Sequence, residues 1–298
     1  MVEEITGQSH RPVGPGRLAL MLPVVLVLWG FVGVYLLQLA IDDTRRQGVQ
    51  ERLIEELAYF PSGRFLRQAA VEYQAVAADF VWLRAIQYYG HHLMTDRKYE
   101  WLGHVFEILT TLDERFIGAY HFGAMTLAWD ASEPNQAVKM LVDGMKANPM
   151  AWQLPFDAGF ICYMQLEDYE AASEFFRIAS KLPDAWVVAE RWAAVSMTKA
   201  GRADIARQMW LDIYHGTENR ALRALVLRQL RHLKLEEGLA RLQQAVDQFQ
   251  EAKGRLPVSL GELVRAGFIE KIPEEPYGGR FFLDGGQVRT TTPPTRRE

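Results

Sequence analysis

Cysteine is almost absent from this sequence. Cys162 is the one thiol among 298 residues, so the chain can form neither an internal disulfide nor a four-cysteine zinc site. An excess of positive charge is also absent, because 33 Lys and Arg residues stand against 37 Asp and Glu residues and no long basic run occurs. Nucleic-acid-binding proteins usually carry a basic surface. We therefore predict no nucleic-acid partner.

The common catalytic signatures are missing as well. The sequence contains no glycine-rich phosphate loop, no nucleophile elbow and no HExxH motif. The nearest approach to a metal site is His91 and His92 with Asp96, since residues four apart share one face of a helix. A metal site needs three or four converging ligands, and a third ligand near His92 and Asp96 is lacking. We interpret these residues as a polar helix end and predict no enzyme activity, cofactor or metal.

Long uncharged runs are rare in the chain, with one exception near its beginning. Residues 18–41 contain no charged side chain. As a helix this segment would be about 36 Å long, enough for a hydrocarbon core of about 30 Å. The sequence favours a transmembrane helix at 18–41 after an N-terminal tail at 1–17. A cleaved signal peptide is the competing interpretation, although its apolar region usually has only about 7 to 15 residues. A buried core helix is a third alternative.

A repeat dominates the middle of the sequence. Four similar amphipathic segments begin KYEWL, NQAVKML, YEAASEFF and ADIARQMW. When the four segments are aligned, the residues of one column follow one another at spacings of 35, 35 and 34 positions. A second column, made of large residues, lies four positions after the first. This period and pattern resemble the tetratricopeptide repeat family. The resemblance implies helical hairpins in which the two columns pack between helices, although Leu102 departs from the small residue of the first column. The predicted packing residues are Leu102, Ala137, Ala172 and Ala206, followed by Phe106, Leu141, Phe176 and Trp210.

The repeat predicts the organisation of the rest of the chain. A juxtamembrane helical segment is expected at 42–78 and a solenoid of four to five helix pairs at 79–254. The pairs are placed at 79–112, 116–147, 151–181 and 185–214, with a looser and more charged fifth pair at 218–253 that suits a terminal cap. The predicted fold class is therefore all-α, a transmembrane helix followed by a tetratricopeptide-like α-solenoid, with a small C-terminal module.

The composition changes after residue 254. Proline and glycine become frequent, and residues 255–290 are predicted to form a short helix and a β-hairpin before a disordered tail at 291–298. The order of residues resembles the C-terminal region of type II secretion pseudopilins, where the comparable stretch lies outside the cytoplasm. A module that merely covers the end of the solenoid is the alternative. The residues that carry the resemblance are Gly254, Pro257, Leu260, Leu263, Gly267, Ile272, Pro273, Pro276, Tyr277, Gly278 and Phe282.

These expectations lead to a hypothesis about function. A solenoid usually binds its partner on its concave face, which the first helix of each pair lines. We predict a scaffold tethered to the bacterial inner membrane, with its solenoid in the periplasm, that binds a protein partner and helps to assemble or regulate an envelope complex. A permanent structural subunit and an enzyme with an unidentified pocket are the alternatives. The predicted partner-binding residues are Arg84, Gln87, His91, Phe122, Trp129, Asp157, Met164, Arg191 and Lys199.

Overall fold

The computed structural model describes residue 29, residues 32–39 and residues 61–293. The chain divides into two compact units, Met1–Phe60 and Pro61–Glu298. In the first unit the described residues are helical and exposed to solvent. The second unit, described over residues 61–293, contains a series of helices and one β-hairpin.

The predicted fold class needs correction at the membrane segment. Most of residues 18–41 and all of residues 1–17 lie outside the described residues, and the described part of the segment is helix at 32–39. Among the residues that the structure describes, no helix combines the length and the apolar character needed to cross a membrane. The membrane-anchored fold class is therefore wrong as stated, and the single-pass inner-membrane assignment is not supported. The described fold is helical with a two-stranded antiparallel sheet.

Helices follow one another from residue 63 to residue 216. A short helix α1 precedes four helix pairs, in each of which a first helix (α2, α4, α6 or α8) is followed by a second helix (α3, α5, α7 or α9). The bounds are α1 Gly63–Ala69, α2 Gln74–Met94, α3 Leu102–Leu112, α4 Ile117–Trp129, α5 Pro134–Ala147, α6 Gln153–Ile161, α7 Tyr169–Ser180, α8 Ala189–Lys199 and α9 Ala203–Gly216.

The pairs stack on one another in chain order. Each second helix packs against its own first helix and against the first helix of the next pair. Contacts also join α3 to α5 and α4 to α6, so that second helices meet second helices and first helices meet first helices. This pattern of neighbour contacts is that of a helical-repeat array. It leaves one outer surface formed by first helices and another formed by second helices.

The two repeat columns lie where the helices meet. All eight residues of the columns are buried, from Leu102 at 0% exposure to Trp210 at 1%. Burying one large apolar side chain stabilises a fold by about 1.5–3 kcal/mol. Because each column residue is buried between successive helices rather than in one common centre, the core is divided into separate clusters along the array.

The region of the predicted fifth pair has a different structure. Instead of two helices, residues Arg220–Lys253 form one continuous helix, α10. The sequence offers no proline in this stretch, and its one glycine, Gly238, lies inside the helix. Asn219 begins the helix, since its side-chain oxygen accepts hydrogen bonds from two main-chain N–H groups. The helix ends before Gly254, whose φ of 69° suits glycine.

The C-terminal module packs on the second half of α10. It consists of helix α11 (Leu260–Arg265) and strands β1 (Phe281–Asp284) and β2 (Gln287–Thr290), which pair antiparallel with Phe281 opposite Thr290. The side chain of Gln243 donates a hydrogen bond to the carbonyl of Gly286 and accepts one from the N–H of Val288. The hairpin is thereby attached to α10 by polar contacts as well as by its apolar face.

Candidate functional site

The surface formed by the first helices, which we call the first-helix face, carries the predicted partner-binding residues in different degrees of exposure. Gln87, Trp129, Met164 and Lys199 are exposed, and Asp157 is buried. The remaining four predicted residues, Arg84, His91, Phe122 and Arg191, are half-buried.

The strongest polar contact on this face joins two neighbouring pairs. His121 of α4 and Asp157 of α6 lie 36 residues apart in sequence, with 2.7 Å between the imidazole Nδ1 and the carboxylate Oδ2. The side chain of His121 is 57% exposed, whereas that of Asp157 is only 9% exposed. Because Nδ1 faces the carboxylate, the other ring nitrogen, Nε2, is directed away from it. The buried Asp157 therefore orients an imidazole on the solvent side of the array.

Both groups of this pair hold a proton more tightly than they would in water. The hydrogen bond with Asp157 raises the pKa of His121, and burial opposes this effect only in part. Burial raises the pKa of Asp157, and the hydrogen bond with His121 opposes that effect. Both directions favour a proton on the pair. A raised pKa extends to higher pH the range in which the protonated imidazole can donate to a carbonyl or carboxylate group of a partner.

Aromatic rings on α4, the helix of His121, contact rings of the neighbouring first helices. Phe122 lies edge-on to Trp82 at 5.5 Å and to Tyr89 at 5.3 Å between ring centroids. On the other side Trp129 stacks on Phe160 at 5.7 Å. Such contacts between rings contribute about 0.5–1.5 kcal/mol beyond the area they bury. The rings join the first and second pairs, and then the second and third pairs, into one aromatic surface.

A second polar contact joins the first two pairs at the edge of this surface. The hydroxyl of Tyr89 donates a hydrogen bond of 3.0 Å to the carboxylate of Asp130. Burial, followed by the contact with Asp130, raises the pKa of Tyr89 to about 12. The phenol therefore remains a protonated donor throughout the physiological pH range. It fixes the first helix of pair one against the end of α4.

The structure does not bring all predicted residues into one site. Arg84 lies within 3.5 Å of Gln87, three residues later on the same helix, and the His91 ring lies 5.1 Å from that of His92. Met164 lies in a π-helical turn and Lys199 ends α8. These residues are thus distributed over the first, third and fourth pairs. The site is thus centred on Phe122, Trp129 and Asp157, with the others at its margins.

One of the two histidines at the end of α2 contacts a nearby carboxylate. His92 is buried, and its Nδ1 lies 2.5 Å from the carboxylate of Asp96, which lowers the pKa of Asp96. Within residues 29, 32–39 and 61–293, no group of three or more His, Cys, Asp and Glu residues is placed to hold a metal ion. Cys162 is buried and its pKa is raised to about 11, so its thiol is a poor nucleophile.

A cavity of about 1150 Å³ lies on the opposite side of the array, between α1 and the second helices α3 and α5. Charges within its lining compensate one another. Arg67 forms an ion pair with Glu114, and Lys146 forms one with Asp143 at 2.6 Å. These two ion pairs account for four of the charged groups in the lining, which also includes Arg64, Glu107 and Lys139.

No protein-family model matches the chain, and no curated protein matches it. The resemblances to the tetratricopeptide repeat family and to pseudopilins therefore remain predictions that rest on the residues quoted for them. The case for a function must come from the site itself.

Two functional residues of the site were not predicted from the sequence. Neither His121 nor Phe160 is among the residues predicted to bind a partner. A usable signal existed, because His121 and Asp157 are separated by the repeat period plus one residue. A polar pair at that spacing can meet across neighbouring first helices. The helix rotation that decides whether it does so is not readable from the period.

Proposed function

We propose that this chain is a scaffold that binds a segment of another polypeptide along its first-helix face. The proposal rests chiefly on one observation, the exposed imidazole of His121 held by the buried Asp157 on helices α4 and α6, which also carry Phe122, Trp129 and Phe160. Half-buried rings supply apolar area to a partner, and an oriented imidazole supplies a directed hydrogen bond. The combination suits a polypeptide, which presents both apolar side chains and main-chain carbonyl groups.

A binding role fits the chemistry of the site better than a catalytic one. Among residues 61–293, the side-chain hydrogen bond of His121 is the one with Asp157. The thiol of Cys162 is buried, with a pKa far above neutrality. Each pair of the array adds a further first helix to the same surface. A long partner segment could therefore contact several pairs at once, and the scaffold would help to assemble or regulate a larger complex.

The test compares two positions of equal exposure on opposite surfaces. Trp129 of the first-helix face and Ile178 of the second helix α7 are both 38% exposed. A photoreactive benzoylphenylalanine is introduced at each position in the full chain, in the cells that produce it, and crosslinked products are identified by mass spectrometry. We expect position 129 to crosslink to one contiguous segment of one polypeptide and position 178 not to reach that segment.

A synthetic peptide of the crosslinked segment then gives the affinity. Trp129→Ala is expected to weaken its binding at least tenfold, and Ile178→Ala less than twofold. His121→Gln retains a side-chain donor and is expected to cause an intermediate loss. Equal crosslinking from both positions, or unchanged affinity in Trp129→Ala with an unchanged melting temperature, would contradict binding on this face.

A further inference from the structure

The first half of α10 carries a strongly charged surface that the scaffold proposal does not use. Residues 219–235 contain Arg220, Arg223, Arg228, Arg231 and Lys234 and no acidic residue. The chain has a net charge of −4, so with these five cations set apart the rest of the chain has a net charge of −9. A basic segment of this kind stands out against an acidic protein.

Helix geometry places most of these cations on one side. At about 100° per residue, Arg231 lies about 20° and Lys234 about 40° from Arg220 around the helix axis, and Arg228 about 80°. All four are exposed, whereas Val226 and Leu233 on the other side are buried. We call Arg220, Arg228, Arg231 and Lys234 the basic stripe. It extends over about 21 Å of the helix.

The charges of the stripe have no ion-pair partner among the residues that the structure describes. Within residues 61–293, none of the four side chains forms an ion pair. Glu237, near the end of the stripe, is paired with Arg207 of α9. Arg223 is excluded from the stripe because it is half-buried, donates to the carbonyl of Thr217 and lies over the ring of Tyr214.

The stripe does not stabilise the helix that carries it. Arg220 occupies the first turn, where the positive end of the helix dipole disfavours a cation, and that turn contains no acidic residue. Arg228, Arg231 and Lys234 follow at intervals of three, which places like charges beside each other. Since the arrangement costs stability in the free protein, its explanation must lie in what it contacts.

We propose that the basic stripe binds a short acidic segment of another polypeptide. Three of its four cations are arginine, whose guanidinium group matches a carboxylate with two parallel hydrogen bonds. Leu227, 41% exposed, lies among these cations and offers one apolar contact. A long nucleic acid or a flat anionic membrane would extend beyond the stripe and meet the net negative charge of the rest of the chain. A short acidic segment avoids that repulsion.

The test measures binding of defined probes to the full chain by fluorescence anisotropy and by vesicle co-sedimentation. The probes are fluorescein-labelled octaglutamate, octaglutamine, a 20-nucleotide single-stranded DNA, and vesicles of phosphatidylcholine and phosphatidylserine. We expect octaglutamate to bind, with an affinity that falls as sodium chloride is raised, and octaglutamine not to bind. Tighter binding of the DNA or of the vesicles than of octaglutamate would overturn the proposal.

Two triple variants with the same change of net charge locate the binding. The stripe variant is Arg220→Glu, Arg231→Glu and Lys234→Glu; the control replaces the exposed cations Lys139, Lys181 and Lys271 by Glu. We expect the stripe variant to lose at least tenfold in octaglutamate affinity and the control less than threefold. Equal losses of octaglutamate affinity in the two variants would show an effect of net charge alone and would refute binding at the basic stripe. If the stripe variant fails to fold, Arg231→Gln and Lys234→Gln together must still lower the affinity at least threefold.

Discussion

Gly123 offers a direct test of how the helix pairs stack. It lies inside α4, and a methyl group added there would meet the Phe106 ring at 2.8 Å and the Met140 terminal carbon at 2.9 Å. Phe106 belongs to the second helix of pair one and is fully buried, so its ring has no space into which to move. The glycine is therefore required by a close approach of neighbouring pairs, not by its backbone conformation.

The expected size of the effect follows from two opposing terms. Replacing glycine by alanine inside a helix stabilises it by about 1 kcal/mol, and overpacking a core costs about 1–3 kcal/mol. With contacts as short as 2.8 Å we expect the upper part of that cost, and Gly123→Ala should lose about 1–2 kcal/mol. For a unit of this size each 1 kcal/mol lowers the melting temperature by about 2–4 °C.

Gly90 is the matched control. It lies inside α2, and a methyl group there would meet no atom within 4 Å. Gly90→Ala should therefore gain about 0.5–1 kcal/mol from helix propensity alone. Urea unfolding followed by circular dichroism gives both values. The double variant Gly123→Ala, Phe106→Leu should be more stable, by at least about 0.5 kcal/mol, than the sum of the two single changes in unfolding free energy predicts. A Gly123→Ala variant as stable as the wild type would refute the packing argument.

Two further predictions concern the long helix and the C-terminal module. Asn219→Ala removes the acceptor for the N–H groups of Ala221 and Leu222 and should lower the free energy of unfolding by about 1 kcal/mol, measured by urea unfolding with Asn219→Asp as the neutral control. Glu275 is buried; burial alone would raise its pKa, but hydrogen bonds from two threonine hydroxyls and two main-chain N–H groups lower it. Because its pKa is lower in the folded protein than in the unfolded chain, the Glu275 carboxylate contributes stability. This contribution is present above about pH 4.3 and is lost as the pH falls through the folded-state pKa. Glu275→Gln should cost about 1–3 kcal/mol at pH 7 and flatten the acid limb of the stability profile; an unchanged limb would contradict this role.

The periodic part of the fold could be predicted from sequence because it is local. The helix pairs depend on residues three or four apart and on a column that recurs every 34 or 35 residues, and Ala172 and Phe176 are buried as the repeat requires. Each pair contacts its neighbours in chain order. A pattern of this kind predicts both where the helices lie in the sequence and which residues are buried between them.

The long helix α10 could not be predicted because its decisive contact is distant in sequence. Gly238 could have ended a helix, since glycine costs about 1 kcal/mol in a helix interior. In the structure the Phe281 ring packs closely against α10 at Gly238, and a methyl group added to this glycine would lie 2.9 Å from that ring. The hairpin residue that uses this space lies more than 40 residues later, and nothing local to Gly238 indicates it.

The site could be predicted only in part for a related reason. A repeat period places Phe122 and Asp157 in equivalent positions of successive first helices, but one is half-buried and the other is buried. The rotation of each helix and the choice of rotamer decide that Asp157 turns toward His121 instead of toward solvent. Those choices depend on the packing of α4 against α6, which the period does not specify.

The structure separates the residues that hold the array together from those that form its outer surfaces. Gly123 and the two buried columns lie between helices, whereas Trp129 and the basic stripe are exposed to solvent. A variant of the first group should lower stability before it changes any affinity. A variant of the second group should lower an affinity with a smaller loss of stability than Gly123→Ala. If Trp129→Ala melted as early as Gly123→Ala, this ring would belong to the core, and the first-helix face would lose its main anchor.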